Sequence, residues 1–86
     1  MAVIDLKTLL GNAIKRGRTA LGISQEELAY RAGLDRTYLS DLERGARNPS
    51  LKSLEKLAHG LELPVAALLE RSTNGARAKE DRKSVV

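Results

Sequence analysis

The chain contains no cysteine, phenylalanine or tryptophan, and its one histidine is His59. Without cysteine there is neither a disulfide framework nor a thiolate zinc site, and His59 alone cannot assemble a metal site. No cofactor is expected. Aromatic rings are confined to Tyr30 and Tyr38, so any core must be aliphatic. Long apolar runs are also missing, and nothing approaches the roughly 20 residues of a membrane span. The start, Met1-Ala2-Val3-Ile4-Asp5, lacks the basic segment and long apolar stretch of a secretory leader. The default expectation is a cytoplasmic protein with no membrane partner. No nucleophile–base pair, carboxylate cluster or metal set is visible, and 86 residues leave little room for a pocket. Neither an enzyme nor a small-molecule sensor is expected.

What is present is aliphatic and basic. Hydrophobic residues make up 42% of the chain, with leucine the largest share. That suits one compact domain, and a core this small is commonly reinforced by oligomerisation. The net charge of +4 and isoelectric point near 9.8 favour a polyanionic partner without proving one.

The apolar positions recur at helical spacing, which predicts an all-α domain. Leu6, Leu9, Leu10, Ala13, Ile14, Gly17 and Leu21 mark a first helix over residues 6–21, ended by Gly22. Ser24-Gln25-Glu26-Glu27 reads as a capping box, in which the serine accepts from the Glu27 amide and Glu27 reaches back. It opens a second helix of about eight residues, too short to persist alone, which Gly33 stops. Asp35 caps a third helix that ends near Arg44. Gly45 to Pro49 form a basic loop. Ser50 caps a fourth helix carrying Leu51, Leu54, Leu57, Ala58 and Leu61. Pro64 suits the first turn of a fifth, through about Glu70, with Val65, Leu68 and Leu69 as its apolar positions. Residues 1–70 thus form the domain. Residues 71–86 hold five basic and two acidic residues without apolar periodicity and read as a charged, flexible tail.

The informative stretch runs from Ser24 to Gly45: two short helices joined by a tight turn at Gly33. That is the plan of a helix-turn-helix, whose second helix enters the DNA major groove. Arg36 and Thr37 follow the Asp35 cap and project from the first turn of the third helix. An arginine there can bind guanine O6 and N7 bidentately, and a threonine can offer its hydroxyl, or its methyl to thymine. Ser40 is an intermediate candidate for base reading. Arg44, Arg47 and Asn48, in and before the loop, are candidate phosphate clamps. Tyr38 can place its ring in the core and its hydroxyl on a phosphate. Tyr30 reads as a partly exposed ring.

Ser24-Gln25-Glu26-Glu27-Leu28-Ala29, Ala32-Gly33-Leu34, Leu39-Ser40, Leu42-Glu43-Arg44-Gly45 and Arg47-Asn48-Pro49-Ser50-Leu51 together resemble the Cro/C1-type (XRE) helix-turn-helix family, over about residues 6–70. The match implies a compact five-helix, lambda repressor-like domain. Leu28-Ala29-Tyr30 with Leu34-Asp35-Arg36-Thr37-Tyr38-Leu39-Ser40 and Glu43-Arg44 is similar to the controller proteins of restriction–modification systems. This resemblance implies a phosphate contact for Gln25 and a base-reading position for Asp41. The alternative for Asp41 is a salt bridge to Arg36 or Arg44. It further implies a structural ion pair between Arg18 and Glu43, and a two-fold contact through Leu61, Leu63, Val65 and Leu69. The function implied is a homodimeric transcriptional regulator on a palindromic, double-stranded operator. A prophage or plasmid repressor, or an antitoxin, fits the same class, with RNA polymerase or a cognate toxin as further candidate partners. A protein-interaction module that reads no DNA is the alternative from another class, and Arg36, Arg44 and Arg47 argue against it.

Overall fold

The computed structural model describes residues 5–72. Among them are five helices and no strand: α1 (Leu6–Ala20), α2 (Gln25–Ala32), α3 (Arg36–Glu43), α4 (Leu51–Gly60) and α5 (residues 65–72). Each of the first four starts on a side-chain oxygen that accepts a backbone N–H. Asp5 accepts from Lys7, Ser24 from Glu27, Asp35 from Thr37 and Tyr38, and Ser50 from Ser53. Such caps satisfy amides that have no partner within the helix. The reciprocal half of the capping box is absent. Glu27 turns instead to Arg31, one turn on, and accepts from its Nε at 2.8 Å, an i,i+4 pairing that competes with the backward reach.

The same four helices end alike. Just beyond each helix end one amide donates back five residues: Ile23 to Arg18, Leu34 to Ala29, Ala46 to Asp41 and Leu63 to Ala58, at 2.9–3.3 Å. This closure, the Schellman motif, needs a left-handed residue just before the donor. Gly22, Gly33 and Gly45 supply it three times, and Glu62, at φ 61°, supplies it the fourth.

The core is a continuous cluster of Leu10, Ala13, Ile14, Leu28, Ala29, Ala32, Leu39, Leu42, Leu54, Leu57, Leu61 and Leu68. It draws on all five helices, and Ile23, Leu34, Tyr38 and Leu63 pack on its rim. Burying each large aliphatic side chain contributes roughly 1.5–3 kcal/mol. Helix α1 lies against α3, and α2 against both α3 and α4. The α1–α3 crossing is close because Gly11 has no side chain: a Cβ there would collide with the Leu42 carbonyl oxygen and stand 2.8 Å from that of Glu43.

Two expectations change here. Leu61 is not a free surface residue but core, 3% exposed and packed over Gly17. A side chain already buried in its own domain has almost no area left for a second copy. The last helix also runs past residue 70. Ser72 is buried and its hydroxyl donates to the Leu68 carbonyl at 3.0 Å, while the Arg71 carbonyl accepts from Arg16 at 3.4 Å. Arg71 and Ser72 therefore belong to the helix, and the rest of the expected tail lies outside the described residues.

Candidate nucleic-acid interface

The relation between α2 and α3 is fixed by one buried carboxylate. Glu43, the last residue of α3, accepts from Arg18 Nε at 2.7 Å and from Arg18 Nη2 at 3.1 Å. It also accepts from Gln25 Nε2 at 3.0 Å. Arg18 in turn donates through Nη1 to the Ile23 carbonyl at 3.0 Å. The side chains of Arg18 and Glu43 are 13% and 3% exposed. One charge pair thus joins α1, the α1–α2 turn, the first residue of α2 and the end of α3. Every buried side-chain nitrogen and oxygen among the described residues has a hydrogen-bond partner, so the cost of burying this pair is met by complete bonding.

Outside this joint, α2 and α3 form a shallow depression of about 210 Å³ lined by Gln25, Arg36, Thr37, Ser40, Asp41 and Arg44. It gathers all four side chains singled out as base readers and two of the five singled out as phosphate contacts. Arg36 and Thr37 are exposed at its edge. Arg36 has no ion pair or side-chain hydrogen bond among the described residues, so its guanidinium is available. The Thr37 and Tyr38 amides, in contrast, are taken by the Asp35 cap at 3.0 and 3.3 Å. The open amides are those of Gln25 and Glu26 at the start of α2, where the helix carries partial positive charge.

The remaining side chains are engaged with one another, and the salt bridge to Arg44 that was the alternative for Asp41 is formed. Asp41 accepts from Arg44 through one carboxylate oxygen and faces Arg47 Nη2 at 3.6 Å through the other. Arg47 also lies over the Tyr38 ring, 5.2 Å from its centroid, a cation–π distance. The Tyr38 hydroxyl donates to Ser53 Oγ at 3.0 Å, and Ser50 donates to the same oxygen at 3.0 Å. The tyrosine tip therefore points to the start of α4, and a phosphate contact through its hydrogen requires giving up that bond. Asn48 stands apart from the depression. It lines a second hollow, about 280 Å³, with Leu6, Lys7, Leu10, Pro49, Leu54 and Leu69. Tyr30 is 82% exposed. Of the apolar residues expected at a two-fold contact, Leu69 is 41% exposed, and Val65 and Leu63 are half-buried.

Two short capped helices set across a tight turn, with a polar and basic outer face on the second, define a helix-turn-helix protein. The helix-turn-helix family model matches residues 14–68, and the chain belongs to that family. It is similar to the control protein C.BamHI of Bacillus amyloliquefaciens, 39% identical over 72 residues, covering 83% of this chain and 89% of that one. It is likewise similar to the control protein C.MunI of a Mycoplasma species, 43% identical over 65 residues, with 74% and 88% covered. Among solved structures, the restriction–modification controller protein C.AhdI of Aeromonas hydrophila superposes with a TM-score of 0.71. The identity is 44% over 72% of this chain and 94% of that one.

Proposed function

We propose that the protein is a sequence-specific DNA-binding transcriptional regulator, acting in the cytoplasm as a homodimer on a palindromic operator in the manner of a restriction–modification controller. The observation that carries this reading is the exposed, unpaired Arg36 beside Thr37 and Ser40, on the outer face of a helix whose inner face is anchored in the core. In this reading Arg36, Thr37 and Ser40 meet base edges in the major groove. Gln25, with the open amides at the start of α2, holds a phosphate on one side; Arg44, Arg47 and Asn48 hold backbone on the other. Gln25 can do so while bound to Glu43, because its amide nitrogen carries a second N–H. Leu69, Val65 and Leu63 supply the two-fold contact. The names of the similar control proteins support the same class.

The test is selection of bound duplexes from a random pool, followed by footprinting on the winner. A two-fold dimer sets its recognition helices about 34 Å apart, so half-site centres should lie roughly 10 base pairs apart or a small multiple of that. Arg36→Ala should cost roughly 1–3 kcal/mol on the selected site and flatten preference at one base pair per half-site. A single asymmetric half-site, or equal loss on selected and scrambled DNA, would overturn the reading.

A further inference from the structure

Asp41 places a negative charge on the face proposed to meet a polyanion. Its side chain is 20% exposed, and both oxygens are turned to arginines: Arg44 at the end of α3 and Arg47 in the following loop. The two guanidinium groups come from different elements and converge on one carboxylate, as they would on a phosphate. Arg47 is further steadied by the Tyr38 ring. The cluster of two arginines and one aspartate presents a net charge of +1 where the arginines alone would present +2.

We infer that Asp41 is an internal stand-in for phosphate, which competes with the DNA backbone for Arg44 and Arg47 and so sets how tightly, and how salt-dependently, the protein holds any duplex. The inference rests on the DNA-binding reading above and gives Asp41 a role other than base reading. Three geometrical points carry it. Each carboxylate oxygen is matched to its own guanidinium. Asp41 lies in the same depression as Arg36 and Gln25, so a bound strand reaches the cluster. The arginines are 66% and 55% exposed, open to exchange partners. Exchange of these largely solvated ion pairs is close to balanced, since such pairs are individually weak in water. A phosphate therefore displaces the aspartate, and the displacement weakens binding to every sequence equally. Affinity on all DNA is held down, and the protein concentration needed for occupancy is raised.

The test uses the full chain and Asp41→Asn, which keeps the side-chain shape. Both are titrated on the selected operator and on a mixed-sequence duplex across a salt series. Release of two exposed pairs per protomer should raise affinity on both duplexes by about three- to tenfold. The slope of log affinity against log salt should steepen by about 2 per dimer, one added positive charge per protomer. The gain should vanish when Arg44→Gln and Arg47→Gln are also present. If Asp41→Asn lowers affinity on the operator alone, Asp41 reads a base and the inference is wrong. Weaker binding on both duplexes with a shallower slope would show that it only pre-positions the arginines, and would also overturn it. A gain that persists without the two arginines would reduce the effect to net charge and refute the local competition. If the unaltered chain binds neither duplex even at low salt, the DNA-binding reading itself fails, which the other outcomes do not produce.

Discussion

Removal of the Glu43 carboxylate is the most demanding test of how the two DNA-facing helices are held. In Glu43→Ala, Arg18 loses its partners at 2.7 and 3.1 Å and Gln25 loses its partner at 3.0 Å. Arg18 keeps only its bond to the Ile23 carbonyl and is too enclosed to be hydrated fully. Stranding one partner of a buried pair costs about 3–5 kcal/mol. The retained bond and the residual exposure of Arg18 place the expectation at the lower end, about 3 kcal/mol. For a domain of this size each kcal/mol lowers Tm by roughly 4–8 °C, so the fall should be about 12–24 °C. Thermal and urea unfolding followed by far-ultraviolet circular dichroism reads this directly, at one fixed protomer concentration because any self-association shifts Tm. Arg18→Met combined with Glu43→Leu should recover most of the loss, since replacing both charges removes the desolvation cost along with the attraction. A loss below about 1 kcal/mol in Glu43→Ala, the range of an exposed pair, would refute the reasoning. So would a double variant no more stable than the single.

Other positions give opposite signs for similar-looking changes. Glu62→Gly should stabilise the domain by about 0.5–1 kcal/mol, because glycine takes the left-handed conformation without the penalty that glutamate bears there; chemical denaturation measures it. Gly11→Ala should destabilise by about 1–3 kcal/mol, although alanine is the better helix former, because the new methyl meets two α3 carbonyls. The same denaturation experiment distinguishes a sign reversal. Leu69→Asp should leave the fold intact, since that side chain is 41% exposed, and move sedimentation from dimer to monomer; an unchanged dimer would place the two-fold contact elsewhere.

Local chemistry made much of this architecture legible in the chain. Ser24, Asp35 and Ser50 announce helix starts, and Gly22, Gly33 and Gly45 announce ends, because caps and left-handed turns each need a particular residue type. Glu62 performs the same turn without being a turn residue, so the end of α4 carried no such signal. Leucine spacing located the apolar stripe but not its depth. Leu61 and Leu69 both belong to apolar stripes, yet one is core and the other half-open, and only the tertiary placement of Leu61 over Gly17 of α1 decides which. Of the bonds around the depression, the sequence offered only the Asp41–Arg44 salt bridge, as an alternative to base reading. Asp41 had basic neighbours within reach in sequence, and the fold turned it to Arg44 and to Arg47 beyond the helix. The Gln25 bond to Glu43 and the Tyr38 bond to Ser53 span 18 and 15 residues, beyond anything periodicity registers. Serine–tyrosine proximity has no sequence signature; the three-residue spacing of Ser50 and Ser53, the usual reach of a cap, was the one available hint.

Helix α3 divides its labour by face. Leu39, Leu42 and Glu43 are buried and hold the helix in place, whereas Arg36, Thr37 and Ser40 contribute nothing to the hydrophobic cluster. Exposed substitutions of this kind usually change stability by no more than about 0.5 kcal/mol. Mutation can therefore sample new outer faces on an unchanged inner one, and lineages built on this scaffold can diverge in the sequences they recognise without first having to acquire a more robust fold.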